Sequence, residues 1–529
     1  MLCITVLYGK ANISMRGFVY RHWGTIGIFA ILFLSAYLRL WNIGGYMTFL
    51  GDEGRDVLVV KRMIVDHDIT FLGPTASVGG FFLGPIYYYF MAPFLWLWNL
   101  NPVGPAVMVA LFGVATIYLL YRVGTDFVSR STGYIAALLY AIAPLVVAHS
   151  RSSWNPNIVP FFSLLYIYSL WKAQESRKVR WLFVAGISFG VGIQLHYLFL
   201  FMLPVSLIYL YLYREKMLFI KLRTFVLGVI LPLIPFIGFE FKNKLPNTQT
   251  IWHYVTTEGD VGLSLSGSIL TMRDVLFRSF ARVLFNFPPP EQFYKYEDWV
   301  ITVWKTSVWL VVILSIFMLL RYVRMQKSKP HLLMLLWMVF GLGLFMLYQK
   351  SIYDYYFVLV FPLLFLLVAN LLVVFWQRKL LKPIAAIALA LLIWINWMGR
   401  PFQFPPNNQF DQVSMISRSI FNHADGKPFN FALITGGNSD HAYRYLFEIW
   451  GNPSVTIEFD EVDPERKTVT DQLYVLCETL PCEPLGHPLW EIAGFGRAQI
   501  DTSWKVSFLE VYRLVPYQGE DFATEDNVR

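Results

Sequence analysis

The sequence predicts a polytopic α-helical membrane protein of about eleven transmembrane helices plus an outer juxtamembrane helix, ending in a small C-terminal extracytoplasmic α/β domain. Three observations predict it. Hydrophobic residues are 56% of the 529 and charged residues only 15%, against about 25% charged in soluble proteins, so lipid must solvate part of the apolar surface. Apolar runs close to the roughly 20 residues that cross a bilayer core recur from residue 24 to residue 398. Beyond residue 408 the pattern changes to short strand-like runs separated by turn residues.

Taken in order, Lys10, Arg16 and Arg21 precede the apolar run Thr25–Trp41. No small-residue cleavage site follows it, so it reads as an uncleaved signal anchor. Further spans are expected at 104–121, 132–148, 157–171, 181–196, 198–213, 223–239, 300–320, 332–348, 356–376 and 383–398. One more apolar stretch, 81–98, decides the topology. If it does not cross, the cytosol collects Arg122 and Arg130, Lys172 to Arg180, Arg214 to Arg223, Arg321 to Lys329, and Arg378 to Lys382. The short outer loops then hold only Arg151 and Lys350. If it crosses, most of that charge moves outside, against the positive-inside bias. The stretch is therefore an outer juxtamembrane helix, with Tyr87-Tyr88-Tyr89 and its tryptophans suited to an interface and Pro85 and Pro93 weakening a straight span. The N-terminus lies in the cytosol and the C-terminal domain outside.

This topology makes residues 1–398 a transmembrane domain with large outer loops at 42–103 and 240–299, followed by a linker at 399–408 and the α/β domain at 409–529. In that domain 430–435, 454–459, 472–477 and 506–514 read as strands and 440–450 as a helix. Cys477 and Cys482 bracket a four-residue turn outside the cytosol, where a disulfide is expected. Three cysteines in the whole chain are too few for a disulfide scaffold or a zinc cluster.

Chemistry concentrates on the outer side. The first outer loop opens with Gly51-Asp52-Glu53-Gly54-Arg55-Asp56. Asp52 or Glu53 near the membrane surface suits a general base, and Arg55 suits a phosphate; the same acids also favour the first turn of a helix. The next outer turn carries Arg151, Trp154, Asn155 and Asn157, with hydrogen-bonding amides and a stacking ring for a sugar. Asn155-Pro156 is equally a helix start. His196 sits at the turn of a tight hairpin, at the same depth. Lys350, Tyr353 and Asp354 form a fourth polar cluster, in which Lys350 faces an anionic headgroup or snorkels. No P-loop, HExxH or GxSxG is present, which removes nucleotide-driven transport and the familiar hydrolases. No cofactor is implied. Asp52, Glu53 and His196 offer ligands to a divalent metal without a fixed spacing.

A first span followed by Asp52-Glu53 and Arg55 resembles the GT-C superfamily of membrane glycosyltransferases. Nearest in pattern are the bacterial relatives of protein O-mannosyltransferases and the lipid A aminoarabinose transferase. Gly84-Pro85-Ile86-Tyr87-Tyr88-Tyr89, then Leu111-Phe112-Gly113, Ala143-Pro144 and Ser150-Arg151 continue the resemblance in order over roughly residues 25–400. It departs at Asn155 and Asn157, where many relatives carry an aspartate, and at Leu83-Gly84, where the aminoarabinose transferase has a lysine. The resemblance implies transfer of a sugar from a polyprenyl-phosphate donor to an extracytoplasmic glycan, lipid or protein acceptor, with inversion and with Asp52 as base. Arg55, Lys350 and Arg151 would lie around the donor phosphate. The alternative is a transporter or flippase of lipid-linked sugars. It would place charges at the bilayer midplane and show repeats, whereas the polar clusters here share one face. A scaffold built on the outer domain would leave Asp52, Glu53 and Arg55 without a role.

Overall fold

The computed structural model describes residues 15–76, 79–213, 218–257, 265–348 and 351–519. The chain opens with α1 (Met15–Leu40), α2 (Ile43–Tyr46), α3 (Gly51–Val65) and α4 (Ile86–Leu97). A helical body follows: α5 (Val103–Phe127), α6 (Arg130–Ile142), α7 (Pro144–His149), α8 (Val159–Ser176), α9 (Arg180–Leu195), α10 (Leu203–Leu212) and α11 (Leu218–Lys242). The second large loop holds α12 (Pro246–Thr257) and α13 (Leu265–Leu284), before α14 (Asp298–Gln326), α15 (Lys329–Gly343), α16 (Phe361–Trp376) and α17 (Lys382–Met398).

Each apolar run expected to span falls on helix. Among the described residues five helices are long and apolar enough to cross a membrane, Val103–Phe127 and Asp298–Gln326 included. Others are shorter or broken. The break between α6 and α7 has a local cause: Pro144 has no N–H for the carbonyl of Tyr140. Arg39 of α1 fills the gap, donating to Tyr140 O and Ala141 O. α9 and α11 pack backbone to backbone, because a Cβ on Gly186 would lie 2.1 Å from Phe225 O and one on Gly228 2.4 Å from Phe183 O. Small residues at such spacing are how apolar helices approach when lipid offers no hydrophobic gain.

Within 81–98 only Ile86–Leu97 is helical, 12 residues long, or about 18 Å at 1.5 Å per residue, short of a bilayer core. Its tyrosines correct the sequence reading. Tyr87 and Tyr88 are buried and face polar partners inside the protein; Pro93, Trp96 and Leu97 are the exposed side chains.

The C-terminal unit comprises α18 (Gln409–Ala424), β1 (Asn430–Ile434), α19 (His441–Ile449), β2 (Leu473–Cys477), α20 (Trp490–Ala493), β3 (Ala498–Val506) and β4 (Leu509–Pro516). Its sheet runs β1-β2-β4-β3, with β1 and β2 parallel and the other pairs antiparallel. Two expectations are corrected. Residues 454–459 form no strand, only a parallel bridge from Val455 to Asn430: the Val455 N–H pairs with Phe429 O, and its carbonyl takes the Asn430 side-chain amide in place of a strand neighbour. The run 506–514 is not one strand either: Val506 ends β3, Ser507 turns with φ 59°, and β4 begins at Leu509; β3, whose mostly exposed polar residues hide it from a hydrophobic pattern, is one edge of the sheet. A disulfide joins Cys477 to Cys482, with Cα atoms 6.1 Å apart.

The unit is seated on the helical body. The backbone of α19 touches Gly54 of α3, where a Cβ would lie 2.3 Å from Ala442 N. Glu448 of α19 binds Lys61 (2.9 Å) and Arg62 (3.1 Å) of α3. Tyr445 donates its hydroxyl to Leu100 O.

Candidate active site

The first turn of α3 carries the candidate acids. Glu53 is buried and its Oε2 accepts the Leu50 N–H at 3.1 Å. Burial, with smaller contributions from Asp52 and Asp56, pushes its carboxyl from the usual 4.5 up to about 7. The Gly51 N–H, free at a helix start, donates to Asn438 Oδ1 of the C-terminal unit at 2.9 Å. Asp52 is the open acid, with 55% of its side chain exposed and Oδ1 2.9 Å from Arg55 Nη1. The other edge of the Arg55 guanidinium bonds Asp56 Oδ1 from Nε (3.0 Å) and Nη2 (2.8 Å). Asp56 is fully buried, and burial raises its carboxyl to about 6 against the pull of Arg55. The Tyr88 hydroxyl of α4 also donates to it, at 3.2 Å. Burial opposes the charge of Arg55, yet Asp56 and Asp52 hold it above the ordinary arginine range.

Two cavities meet at this turn. The larger, about 890 Å³, lies between α3, the 148–157 turn and the C-terminal unit, lined by Asp52, Glu53, Trp154, Asn157, Tyr443 and Glu478 among others. The smaller, about 260 Å³, is lined by Asp52, Arg55, Trp154, Asn155, His196 and Tyr355 among others. Asp52 and Trp154 line both. The Trp154 ring meets Tyr355 edge-on at 4.6 Å. Asn155 is held by the carbonyl of Leu195. Asn157 Nδ2 donates to Ser152 O at 2.9 Å, leaving its buried Oδ1 without a protein partner. His196 caps the 3₁₀ turn after α9, its Nδ1 accepting from Leu198 N at 3.3 Å.

Three sequence expectations are corrected. Arg151 does not face a cavity. It is 1% exposed, and its guanidinium donates to Leu38 O, Trp41 O and Asn42 O, capping the carbonyl end of α1 where a cation is favoured. Tyr353 and Asp354 lie outside both cavity walls; Tyr353 stacks on Tyr355. Asp354 binds Arg278 Nη2 at 2.6 Å and Arg282 Nε at 3.0 Å. Those two arginines, on the amphipathic helix α13, were not singled out from the sequence; their i, i+4 spacing on one face was the available signal. Lys350 lies outside the described residues. Among the described residues no group of three or more His, Cys, Asp or Glu side chains converges to hold a metal ion.

The chain is similar to known proteins in part of its sequence and in its fold. The family model described as dolichyl-phosphate-mannose-protein mannosyltransferase matches residues 83–239. A putative mannosyltransferase of Bacillus subtilis strain 168, YkcB, is 26% identical over 176 residues, which are 33% of this chain and about a quarter (24%) of that protein's length. ArnT from Cupriavidus metallidurans, solved bound to undecaprenyl phosphate, aligns with TM-score 0.59 and 14% identity over 94% of this chain and 98% of that one. The archaeal oligosaccharyltransferase AglB from Archaeoglobus fulgidus, solved with an inhibitory peptide and a dolichol-phosphate, aligns with TM-score 0.52 and 11% identity over 86% and 70%. At these identities the solved structures establish the fold, and the family model marks the stretch from the α4 entry to the end of α11. These matches give the chain the fold of ArnT and AglB and a likeness to the mannosyltransferase family model over residues 83–239, in line with the resemblance to the GT-C superfamily of membrane glycosyltransferases.

Proposed function

We propose that this protein transfers a sugar from a polyprenyl-phosphate donor to a hydroxyl acceptor outside the cytosol, inverting the anomeric carbon, with Asp52 as general base. The observation that carries the proposal is the position of Asp52: a largely open carboxylate on the wall shared by two adjoining cavities. The donor's phosphate and sugar occupy the smaller cavity beside Arg55 and His196. The acceptor enters the larger one. The Asp52 carboxylate takes the acceptor's hydroxyl proton as that oxygen bonds to the anomeric carbon from one face. The bond from that carbon to the phosphate oxygen breaks on the other face, and the polyprenyl phosphate leaves with the electron pair. Arg55 stabilises the charge that develops there. Asp56 and Tyr88 hold Arg55 from behind. Lys350 is proposed as a second cation from its place in the sequence, and Trp154, Asn155 and Asn157 as contacts to the sugars.

The membrane arrangement belongs to the same proposal: eleven crossings, the N-terminus in the cytosol, and α3, α4, α12, α13 and the C-terminal unit outside. Support comes from the basic residues that collect at the opposite ends of the spans.

The test uses purified protein in native lipid with mass spectrometry of the bound donor. Asp52→Asn keeps shape and removes the base, so turnover is expected to fall about 10²–10⁴-fold while the lipid-linked sugar stays bound. A variant that transfers at the parent rate would overturn the assignment.

A further inference from the structure

We infer that the acceptor carries no phosphate or carboxylate: it is a neutral or amine-bearing hydroxyl compound, recognised in a cavity whose fixed charge is negative. The inference rests on the transferase reading above. The larger cavity is lined by three carboxyl groups, Asp52, which Arg55 partners, Glu53, whose burial favours its protonated form, and Glu478, and by no Lys or Arg among its described lining residues. Glu478 belongs to the C-terminal unit. It accepts from Thr435 Oγ1 at 2.8 Å, Asn438 Nδ2 at 3.0 Å and the Tyr443 hydroxyl at 2.9 Å. All three donors are neutral, so they hold the carboxylate in place and leave its charge standing.

The lysine and arginine side chains of α3 and α19 are already engaged. Arg55 sits between Asp52 and Asp56 and opens to the smaller cavity. Lys61 and Arg62 bind Glu448, and Arg444 binds Asp440. What the large cavity offers instead is amide and hydroxyl chemistry, from Gln409, Gln412, Asn157 and Ser439. A hydroxyl or ammonium group satisfies such a wall. A phosphate finds no cation and faces like charge, which is the usual way an interface rejects a competitor. The two substrates are thereby sorted: the anionic donor beside the guanidinium, the cation-free chamber for the acceptor.

The test compares glycosides identical except for a hydroxyl, an ammonium or a phosphate at the far end of a short aglycone. A polyprenyl-phosphate hexose radiolabelled in the sugar serves as donor. Labelled glycoside and released polyprenyl phosphate are both measured. The hydroxyl and ammonium glycosides are expected to show kcat/KM at least about tenfold above the phosphate one. Glu478→Gln is expected to shrink that ratio several-fold. As a check that needs no variant, raising salt to about 1 M should shrink it in the unaltered protein. A phosphate glycoside used as well as the others, or a ratio indifferent to salt, overturns the inference while transfer itself stands. If no glycoside is labelled and no polyprenyl phosphate is released, the transferase reading falls, and the inference with it.

Discussion

Asp52, Glu53 and Asp56 lie within five residues of one another, yet the fold gives them three environments. Asp52 is half open and bound to Arg55, Glu53 is buried under the helix start, and Asp56 is enclosed behind the guanidinium. Glu53 makes a testable contribution to stability. Its folded value of about 7 exceeds the usual 4.5, so the folded state binds more protons between those pH values, and stability falls as pH rises through that window. Melting curves from pH 4.5 to 7.5 are expected to show this decline, flattened in Glu53→Gln. Arg151 is expected to be a stability residue rather than a phosphate ligand. Arg151→Met should cost about 2–4 kcal/mol, because three carbonyls at the end of α1 lose a charged donor, and Arg151→Lys should rescue only in part for want of the planar fork. A parent-like melting temperature for Arg151→Met, with weakened donor binding, would reverse that assignment. The sequence points to Asp52, Arg55, Trp154, Asn155 and His196 because the proposed topology puts each at the outer end of a span. Arg151 shares that position, and only its carbonyl partners separate a cap from a ligand. Arg278 and Arg282 escaped notice because their loop is long and its end sets no depth.

The elements that aim the site come from opposite ends of the chain. α3 starts where Asn438, 387 residues away, accepts the Gly51 N–H. Asn438→Ala should therefore loosen the turn that holds Asp52, lowering kcat several-fold with donor binding kept; unchanged kcat would remove Asn438 from the site. In the helical body the close approach of α9 and α11 depends on glycine. Gly186→Leu drives a side chain into the Phe225 carbonyl, and overpacking of this kind costs about 1–3 kcal/mol. Lower yield and melting temperature are the expected outcome, and since the turn after α9 carries His196, donor affinity should fall with them. The helices were legible as apolar runs because length alone marks them. β3 and α18 were not read: β3 is polar on an edge, and α18 carries its apolar face, Val413, Ile416 and Ile420, on a short helix that length alone does not mark.

For the whole molecule, the consequence of the arrangement is a site closed by the C-terminal unit. Cysteines placed at Thr125 and Ser176 are both expected to label from the cytosol; an outside label at either would undo the proposed topology. By itself the sequence determined that the chain enters a membrane many times, and from charge placement it proposed that the polar clusters share one side with Asp52 heading the list of candidate bases. Hydrophobic length and charge placement are local quantities, readable without coordinates. Tertiary structure alone decided which clusters meet. It placed Asp52 on the wall between two cavities, turned Arg151 inward and Tyr87 and Tyr88 into the core, and brought Asn438, Tyr443 and Glu478 across to the acids of α3. Depth in a bilayer follows from composition along one axis, whereas lateral neighbours follow from helix packing across it, which no single run of residues encodes.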